Sequence, residues 1–207
     1  MRIATHGRWP LVAAASLGPA CGLALARRGE LARDGTWVAA LAFPLLVAHQ
    51  TEEWVRPGGF LEFCNERFLG SGQPTWPLTE RLGFHVNVTL GWGSALAGLA
   101  LWRRTPAVAA FVLGIEAGNV AMHSGMAIGE RAYNPGLVTA ALGFLPHAAL
   151  GARWLRRSDR MTTRSTVVAV AGALVFSAGL PALLHRRMRD AKTPADAAPR
   201  SPTGPAV

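Results

Sequence analysis

The chain has 207 residues, of which 50% are hydrophobic and 16% are charged, and its mean hydropathy is +0.23. Soluble domains carry about 25% charged residues, so this composition argues against a soluble globular protein. The net charge is +9, but the arginines stand in short clusters behind apolar runs instead of along one face. That pattern excludes nucleic acid as a partner and favours a lipid bilayer.

Six apolar runs are long enough to cross a bilayer as helices. In chain order they are Trp9–Ala26, Trp37–Trp54, Leu82–Trp102, Ala107–Ala127, Leu137–Trp154 and Val167–Leu184. Tryptophans lie at most of the ends, where indole rings prefer the headgroup region, and small residues fill the interiors. The predicted fold class is therefore all-α, a polytopic transmembrane bundle of about six spans over residues 1–188. We expect an integral membrane protein of a bacterial inner membrane.

The first and last runs admit other interpretations. Arg2 and Arg8 precede the first run as in a signal peptide, but Arg27 and Arg28 behind it are typical of a stop-transfer sequence and favour a retained helix. The arginines after the last run conflict with the positive-inside pattern of the other loops. The count falls to five spans if the first run is cleaved or the last does not span. Residues 189–207, rich in Pro, Ala and charge, are predicted to be a disordered tail.

The second run ends in a cluster of ionisable residues, His49-Gln50-Thr51-Glu52-Glu53. On a helix, His49, Glu52 and Glu53 share one face. Ionisable groups are costly in a membrane helix and therefore predict a functional site. The alternative is that the two glutamates pair with Arg56 near the headgroups.

The fourth run carries a second polar stripe, formed by Glu116, Asn119 and His123. A carboxylate between apolar residues is either neutral or bound to a partner. The alternative here is a protonated Glu116 bonded to Asn119 or to a neighbouring helix. The third run begins with His85 and Asn87, which taken alone are typical of structural hydrogen bonding.

Alternating helix directions bring these groups to one level of the membrane. The second span ends, the third begins and the fourth ends on the same side. Three histidines and up to three carboxylates in a low-dielectric bundle suit a divalent metal, zinc or iron. The predicted metal ligands are His49, Glu53, His85, Glu116 and His123. Without a metal, the same carboxylates would exchange protons as an acid/base pair.

A tight turn, Tyr133-Asn134-Pro135-Gly136, leads into the fifth run. It is either a plain turn or a segment that projects the hydroxyl of Tyr133 over the same site. The predicted catalytic residues are Glu52, Glu53, Glu116 and Tyr133. The residues expected around the substrate or the metal are Asn87, Asn119 and Asn134.

The segment 56–80 holds aromatic and aliphatic residues among Gly, Pro and acidic residues. It is too short and too broken to span, so we expect it to lie in the membrane interface. It is either a lid or lateral entrance for an apolar substrate, or an ordinary amphipathic connector.

The motifs His49-x-x-Glu52-Glu53 and Tyr133-x-Pro135-Gly136, with a later histidine, together resemble the family of bacterial membrane proteins named for its HXXEE motif. The resemblance covers about residues 37–155 and leaves the first and last spans as extensions. It implies that this chain and the members of that family share a functional core. The family has no assigned activity, so the resemblance implies no reaction.

The residues favour a membrane-embedded metalloenzyme that hydrolyses or oxidises a lipid-like or isoprenoid-like substrate. One alternative is a metal-free cyclase or isomerase in which Glu52, Glu53 or Glu116 act as acid and base. Another is a proton- or metal-coupled transporter or binding protein, which would use the same groups along a path. A purely structural membrane protein is the last alternative.

Overall fold

The structure is a computed structural model that describes residues 5–192. The α-helices are α1 (Trp9–Ala26), α2 (Arg28–Arg33), α3 (Trp37–Ala40), α4 (Ala42–Trp54), α5 (Phe60–Glu62), α6 (Glu80–Phe84), α7 (Gly93–Ala100), α8 (Ala107–Glu130), α9 (Leu137–Thr139), α10 (Leu145–Arg157) and α11 (Thr163–Lys192). A 3₁₀ turn occupies Thr5–Arg8, and π-helical turns occupy Phe63–Phe68, His85–Trp92 and Ala140–Phe144. The described residues contain no strand, so the all-α prediction is confirmed.

Three helices are long and apolar enough to cross a membrane: Trp9–Ala26, Ala107–Glu130 and Thr163–Ala191. They correspond to the first, fourth and sixth predicted spans. Within residues 5–192 this count is lower than the predicted six, because the second, third and fifth spans are divided into shorter helices.

Two of these divisions coincide with prolines. Pro44 and Pro146 each lack the amide hydrogen that an α-helix donates to the carbonyl four residues earlier. The second span breaks at Leu41, between α3 and α4, and the fifth widens into a π-helical turn immediately before α10. The third span contains no proline, and there a π-helical turn joins α6 to α7 without a gap.

Helix α8 packs against α7, α10 and α11. Its buried residues follow helical spacing and are Ala109, Val112, Leu113, Glu116, His123 and Met126. A Cβ on Gly114 would lie 2.5 Å from Cβ of Ala173, and one on Gly118 would lie 2.2 Å from Oγ of Ser177. These glycines therefore allow the close approach of α8 and α11 that small residues provide in membrane bundles.

The segment 56–80 packs against one end of the bundle. Phe60 and Cys64, from this segment, form a buried apolar cluster with Leu184 and Met188 of α11. The last helix, which lies outside the region that resembles the HXXEE family, thus supports this segment.

Asn65 fixes the path of the same segment. Its Nδ2 donates to the carbonyl oxygens of Leu78 at 2.8 Å and Pro74 at 2.9 Å, and its Oδ1 accepts from the amide of Leu78 at 2.8 Å. All polar atoms of this fully buried side chain are therefore used to hold the loop together.

Helix α11 continues to Lys192, so residues 189–192 of the predicted tail are helical. The rest of that prediction, residues 193–207, lies outside the described residues. The same is true of Arg2, on which the signal-peptide alternative depends in part.

Candidate metal centre

Three buried side chains from two helices meet inside the bundle. His49 and Glu53 lie one turn apart on α4, and His123 lies on α8. Oε1 of Glu53 is 3.4 Å from Nε2 of His49 and 3.3 Å from Nε2 of His123. All three residues offer ligand atoms within 4.8 Å of one another, and their exposed fractions are at most 4%. We call these three residues the His–Glu–His cluster.

The two distances from Glu53 to the histidines are compatible with ligands of a tetrahedral metal site. Two ligands with bonds of about 2.0–2.1 Å at the tetrahedral angle lie about 3.3–3.4 Å apart. The Nε2 atoms of His49 and His123 are buried and have no hydrogen-bond partner. A cation between them and Glu53 would satisfy both nitrogens and the carboxylate oxygen.

Asn134 determines the tautomer of His123. Its Nδ2 donates to the backbone carbonyl of His123 at 2.9 Å, which turns its Oδ1 to a position 2.6 Å from Nδ1 of the ring. An amide oxygen only accepts, so Nδ1 of His123 carries the proton. In the neutral ring, Nε2 is then the nitrogen that carries the lone pair, which is the form that binds metals.

Thr139 determines the tautomer of His49. Its hydroxyl donates to Oε2 of Glu52 at 2.5 Å and lies 2.9 Å from Nδ1 of His49. Because the single hydroxyl proton points to the carboxylate, the hydroxyl oxygen accepts from Nδ1–H of His49. Nε2 of His49 is therefore also available as a ligand.

Glu52 anchors the segment that carries these partners. Besides the Thr139 hydroxyl, its carboxylate accepts from the amides of Val138 at 3.0 Å and Thr139 at 2.7 Å, and from the hydroxyl of Tyr133 at 2.8 Å. The two amides lie in the first turn of α9, where unpaired N–H groups favour a negative charge. Four donors satisfy this carboxylate, so Glu52 positions the cluster and is not part of it.

Tyr133 lies at the edge of the site, with 46% of its surface exposed. Partial burial and the hydrogen bond to the Glu52 carboxylate raise the pKa of its hydroxyl above the ordinary value. The hydroxyl therefore stays neutral at physiological pH and remains a donor to Glu52.

Gly136 lies directly against the cluster. A Cβ there would be 2.5 Å from Cε1 of His123, 2.8 Å from Cε1 of His49 and 3.0 Å from Cγ of Glu53. Its φ of +100° is also in the region that favours glycine. A larger residue would displace candidate ligands.

The turn around Asn134 and the sequence His49–Glu53 thus build one site from two motifs. A family model described as a protein of unknown function with HXXEE motif matches residues 40–150. The chain belongs to the HXXEE family. No curated protein and no solved structure matches the chain.

The three defined residues of the HXXEE motif have different roles in this structure. The histidine, His49, and the second glutamate, Glu53, belong to the His–Glu–His cluster, since a spacing of four residues puts them on one face. The first glutamate, Glu52, accepts hydrogen bonds from two backbone amides of α9. The later histidine of the HXXEE core that joins the cluster is His123.

Two predicted ligands lie outside the cluster of this HXXEE protein. His85 is exposed, and its Nδ1 is 3.4 Å from Oγ1 of Thr89. Glu116 is buried, but its Oε2 is 2.7 Å from Nδ1 of His147 on α10. His123 follows Glu116 by seven positions, which corresponds to about 10 Å along α8, or about two turns.

Of the three asparagines predicted around the site, one bonds to the His–Glu–His cluster and two do not. Asn134 bonds to a residue of the cluster, as described above. Asn87 accepts from Nε2 of Gln50 at 3.1 Å, and Asn119 donates to the carbonyl of Ile115 in its own helix at 3.1 Å. Asn87 and Asn119 line the cavity described next.

A cavity of about 130 Å³ adjoins the cluster in the HXXEE core. Its polar wall residues are His49, Glu53, Asn87, Ser94, Glu116, Asn119 and Ser177. Most of the remaining wall is apolar and includes Phe60, Phe68 and Leu78 of the segment 56–80. The cavity therefore connects the candidate metal ligands to Glu116 through mainly apolar surroundings.

Sequence reasoning missed Thr139 and His147. His147 is the only histidine in the fifth apolar run, and the rule that singled out His85, an ionisable residue within an apolar run, would also have found it. Thr139 carries no such signal, because threonine is ordinary in a membrane helix. Its role depends on the position of α9 against α4.

Proposed function

We propose that this HXXEE protein is an integral membrane metalloenzyme that acts on a hydrophobic substrate, with a divalent cation held by His49, Glu53 and His123. The observation that carries the proposal is the pair of buried Nε2 atoms that have no hydrogen bond and lie beside one carboxylate oxygen. Hydrogen bonds to both Nδ1 atoms support it, because they hold each ring in the tautomer that binds a metal.

The ligand set favours a catalytic site over a purely structural one. Three protein ligands leave a position for a substrate or water, whereas structural zinc sites use four protein ligands. Two histidines with one carboxylate also hold the iron of non-haem oxygenases. Zinc held by these ligands would support hydrolysis, and iron held by them would support oxidation. A zinc ion would polarise a substrate oxygen and activate water for attack.

The pair Glu116–His147 is the group that we assign to proton transfer. The two residues are buried and joined at 2.7 Å, while Oε1 of Glu116 and Nε2 of His147 have no hydrogen-bond partner. Because Glu116 lies in the wall of the cavity, it can exchange a proton with a bound substrate. The same pair supports a second candidate function, a metal-free cyclase or isomerase that uses only acid/base chemistry.

The cavity supports a lipid-like or isoprenoid-like substrate. Its wall is mainly apolar, and the segment 56–80 contributes Phe60, Cys64, Phe68 and Leu78 to it. We assign to this segment the role of a lid or lateral entrance, through which an apolar molecule passes from the bilayer into the cavity.

We further propose that the second, third and fifth predicted spans cross the membrane beside the three long helices. Helical residues run through 80–100 and 137–157 without a gap, and through 37–54 with one turn residue. At 1.5 Å per residue these segments are about 27–32 Å long, which matches a hydrocarbon core of about 30 Å. The membrane we assign is the bacterial inner membrane.

Metal analysis of the purified protein tests the proposal. The protein is purified in detergent without chelators, and its metal content is measured by inductively coupled plasma mass spectrometry for wild type, His123→Gln and His85→Gln. We expect stoichiometric metal in wild type and in His85→Gln, which removes a histidine outside the cluster. His123→Gln should lose the metal and keep the helical circular dichroism spectrum.

Metal-free wild-type protein that gains no thermal stability from added Zn²⁺ or Fe²⁺ would overturn the proposal. The acid/base candidate would then account for the buried carboxylates. Metal-driven uptake of ions into vesicles by the wild type would instead indicate a transporter.

A further inference from the structure

A second hollow lies between α8, α10 and α11. Its volume is about 800 Å³, and it shares no wall residue with the cavity beside the His–Glu–His cluster. On α8 its wall residues lie on the opposite side from those of the cavity, since they are offset by about half a turn at 100° per residue. We call this hollow the α8–α10–α11 groove.

The floor of the groove is apolar and built mostly from small residues. Helix α8 contributes Ala110, Leu113, Gly114 and Ala117, and α10 contributes Ala148, Ala149 and Ala152. Small side chains keep the groove deep, while Val167 and Val170 of α11 form its other wall. An apolar chain fits these surroundings better than water or a polar ligand.

Charge is confined to one end of the groove. Leu145 begins α10 and Arg156 lies near its end, so the wall of α10 rises about 16 Å between them. The charged wall residues are Arg153, Arg156 and Asp159, all at that end, so positive charge is in excess. The hydroxyl-bearing residues Thr163 and Thr166 lie there as well.

The two arginines are available to a ligand. Both are exposed, and neither forms an ion pair among residues 5–192, where the paired arginines are Arg27, Arg103 and Arg186. A long apolar groove with two unpaired cations at one end matches an amphiphile with one anionic end.

We propose that the α8–α10–α11 groove binds a phospholipid with an anionic headgroup. One acyl chain lies along the alanine-lined floor, and the headgroup phosphate binds Arg153 and Arg156 at the membrane surface. Basic pockets between membrane helices at the surface are the sites that anionic headgroups recognise. The proposal uses no residue of the His–Glu–His cluster, so its test is independent of the proposed enzymatic function.

Competition between two lipids tests the proposal. Purified protein in detergent is mixed with phosphatidylglycerol and phosphatidylcholine of identical acyl chains, and bound lipid is counted by native mass spectrometry. Wild type should prefer phosphatidylglycerol by about tenfold. Arg153→Gln/Arg156→Gln should abolish this preference, whereas Arg27→Gln/Arg28→Gln, which removes the same charge elsewhere, should retain it.

A second variant tests the apolar floor without any change of charge. Ala149 is exposed in the groove, so Ala149→Trp fills the floor with no clash in the core and should reduce the retention of both lipids. Three results would each overturn the proposal: equal binding of the two lipids by wild type, a preference that survives the double arginine change, or displacement of the lipid by inorganic phosphate alone. The Ala149→Trp result applies even if the double arginine variant does not fold.

Discussion

Asn134 bonds to His123 at two points, the ring nitrogen Nδ1 at 2.6 Å and the backbone oxygen at 2.9 Å. The second bond orients the carboxamide, and the first then fixes the proton of the imidazole. The turn that contains Asn134 is therefore part of the site, which the plain-turn alternative does not explain.

Asn134→Leu should lower the zinc affinity of the protein by about 10–100-fold, the usual cost of losing a hydrogen bond to a metal-binding histidine. The ring of His123 would be free to turn and to move its proton to Nε2. Titration against a competing chelator measures the change. Asn119→Leu is the matched control, because Asn119 bonds only within its own helix, and it should bind zinc as wild type does.

Gly136→Ala should abolish metal binding and lower the free energy of unfolding by more than about 1–3 kcal/mol, the cost of a strained backbone conformation. The added Cβ would meet His123 at 2.5 Å, in addition to the strain at a φ of +100°. Gly125→Ala is the control, since nothing lies within 4 Å of a Cβ there. Thermal unfolding and metal content of the two variants should differ; equal behaviour would contradict the tight packing of this turn on the cluster.

The part of the site that lies on one helix could be predicted from the sequence. The spacing of His49 and Glu53 puts them on one face, and the alternation of helix directions puts His123 at the same level. The rotation of a helix about its own axis does not follow from spacing. The sequence therefore predicts His85 at the site, whereas the structure has it exposed, on a π-helical turn that changes the angle between successive residues.

The partners of the polar residues were harder to predict than the residues themselves. Glu116 is recognisable from its apolar neighbours, but its partner His147 comes from another helix, 31 residues later. The all-α fold followed from composition and run length alone. Pro44 and Pro146 accompany the divisions of the second and fifth spans, but the π-helical turn in the third span has no such marker in the sequence.

The two adjacent glutamates should respond differently to the same change. Glu53→Gln removes the negative charge of the cluster and should abolish stoichiometric metal while the helices stay folded. Glu52→Gln should retain the metal ligands but lower the free energy of unfolding by about 1.5–3 kcal/mol, the contribution of one hydrogen bond to a charged group. Metal analysis and thermal unfolding of the pair measure this. Loss of metal in Glu52→Gln alone would contradict the assigned roles.

Glu116→Gln should leave the metal content unchanged, because Glu116 bonds to His147 and is not part of the His–Glu–His cluster. If Glu116 transfers protons as proposed, the variant should retain metal and lose turnover. Metal loss in this variant, with normal folding, would instead show that Glu116 is a ligand.

Alkylation of Cys64 should be slow at neutral pH and should accelerate about tenfold per pH unit. Burial raises the pKa of this thiol to about 12, so the reactive thiolate becomes more abundant with pH and does not saturate below that value. The measurement uses N-ethylmaleimide on a Cys21→Ser background, since Cys21 is the other free cysteine. A rate that levels off near the ordinary thiol pKa of 9.0 would contradict the buried position in the cavity wall.

The bonds from Glu52 to Tyr133, Val138 and Thr139 impose an order on biogenesis. Synthesis runs from the N-terminus, so the helix that carries Glu52 is made more than eighty residues before its donors leave the ribosome. During that interval Glu52 lacks its donors, and Glu53 lacks His123. The carboxylate of Glu52 therefore gains its native hydrogen bonds only after α9 has been made. If the His–Glu–His cluster binds a metal as proposed, its three ligands are together only after α8 has been made.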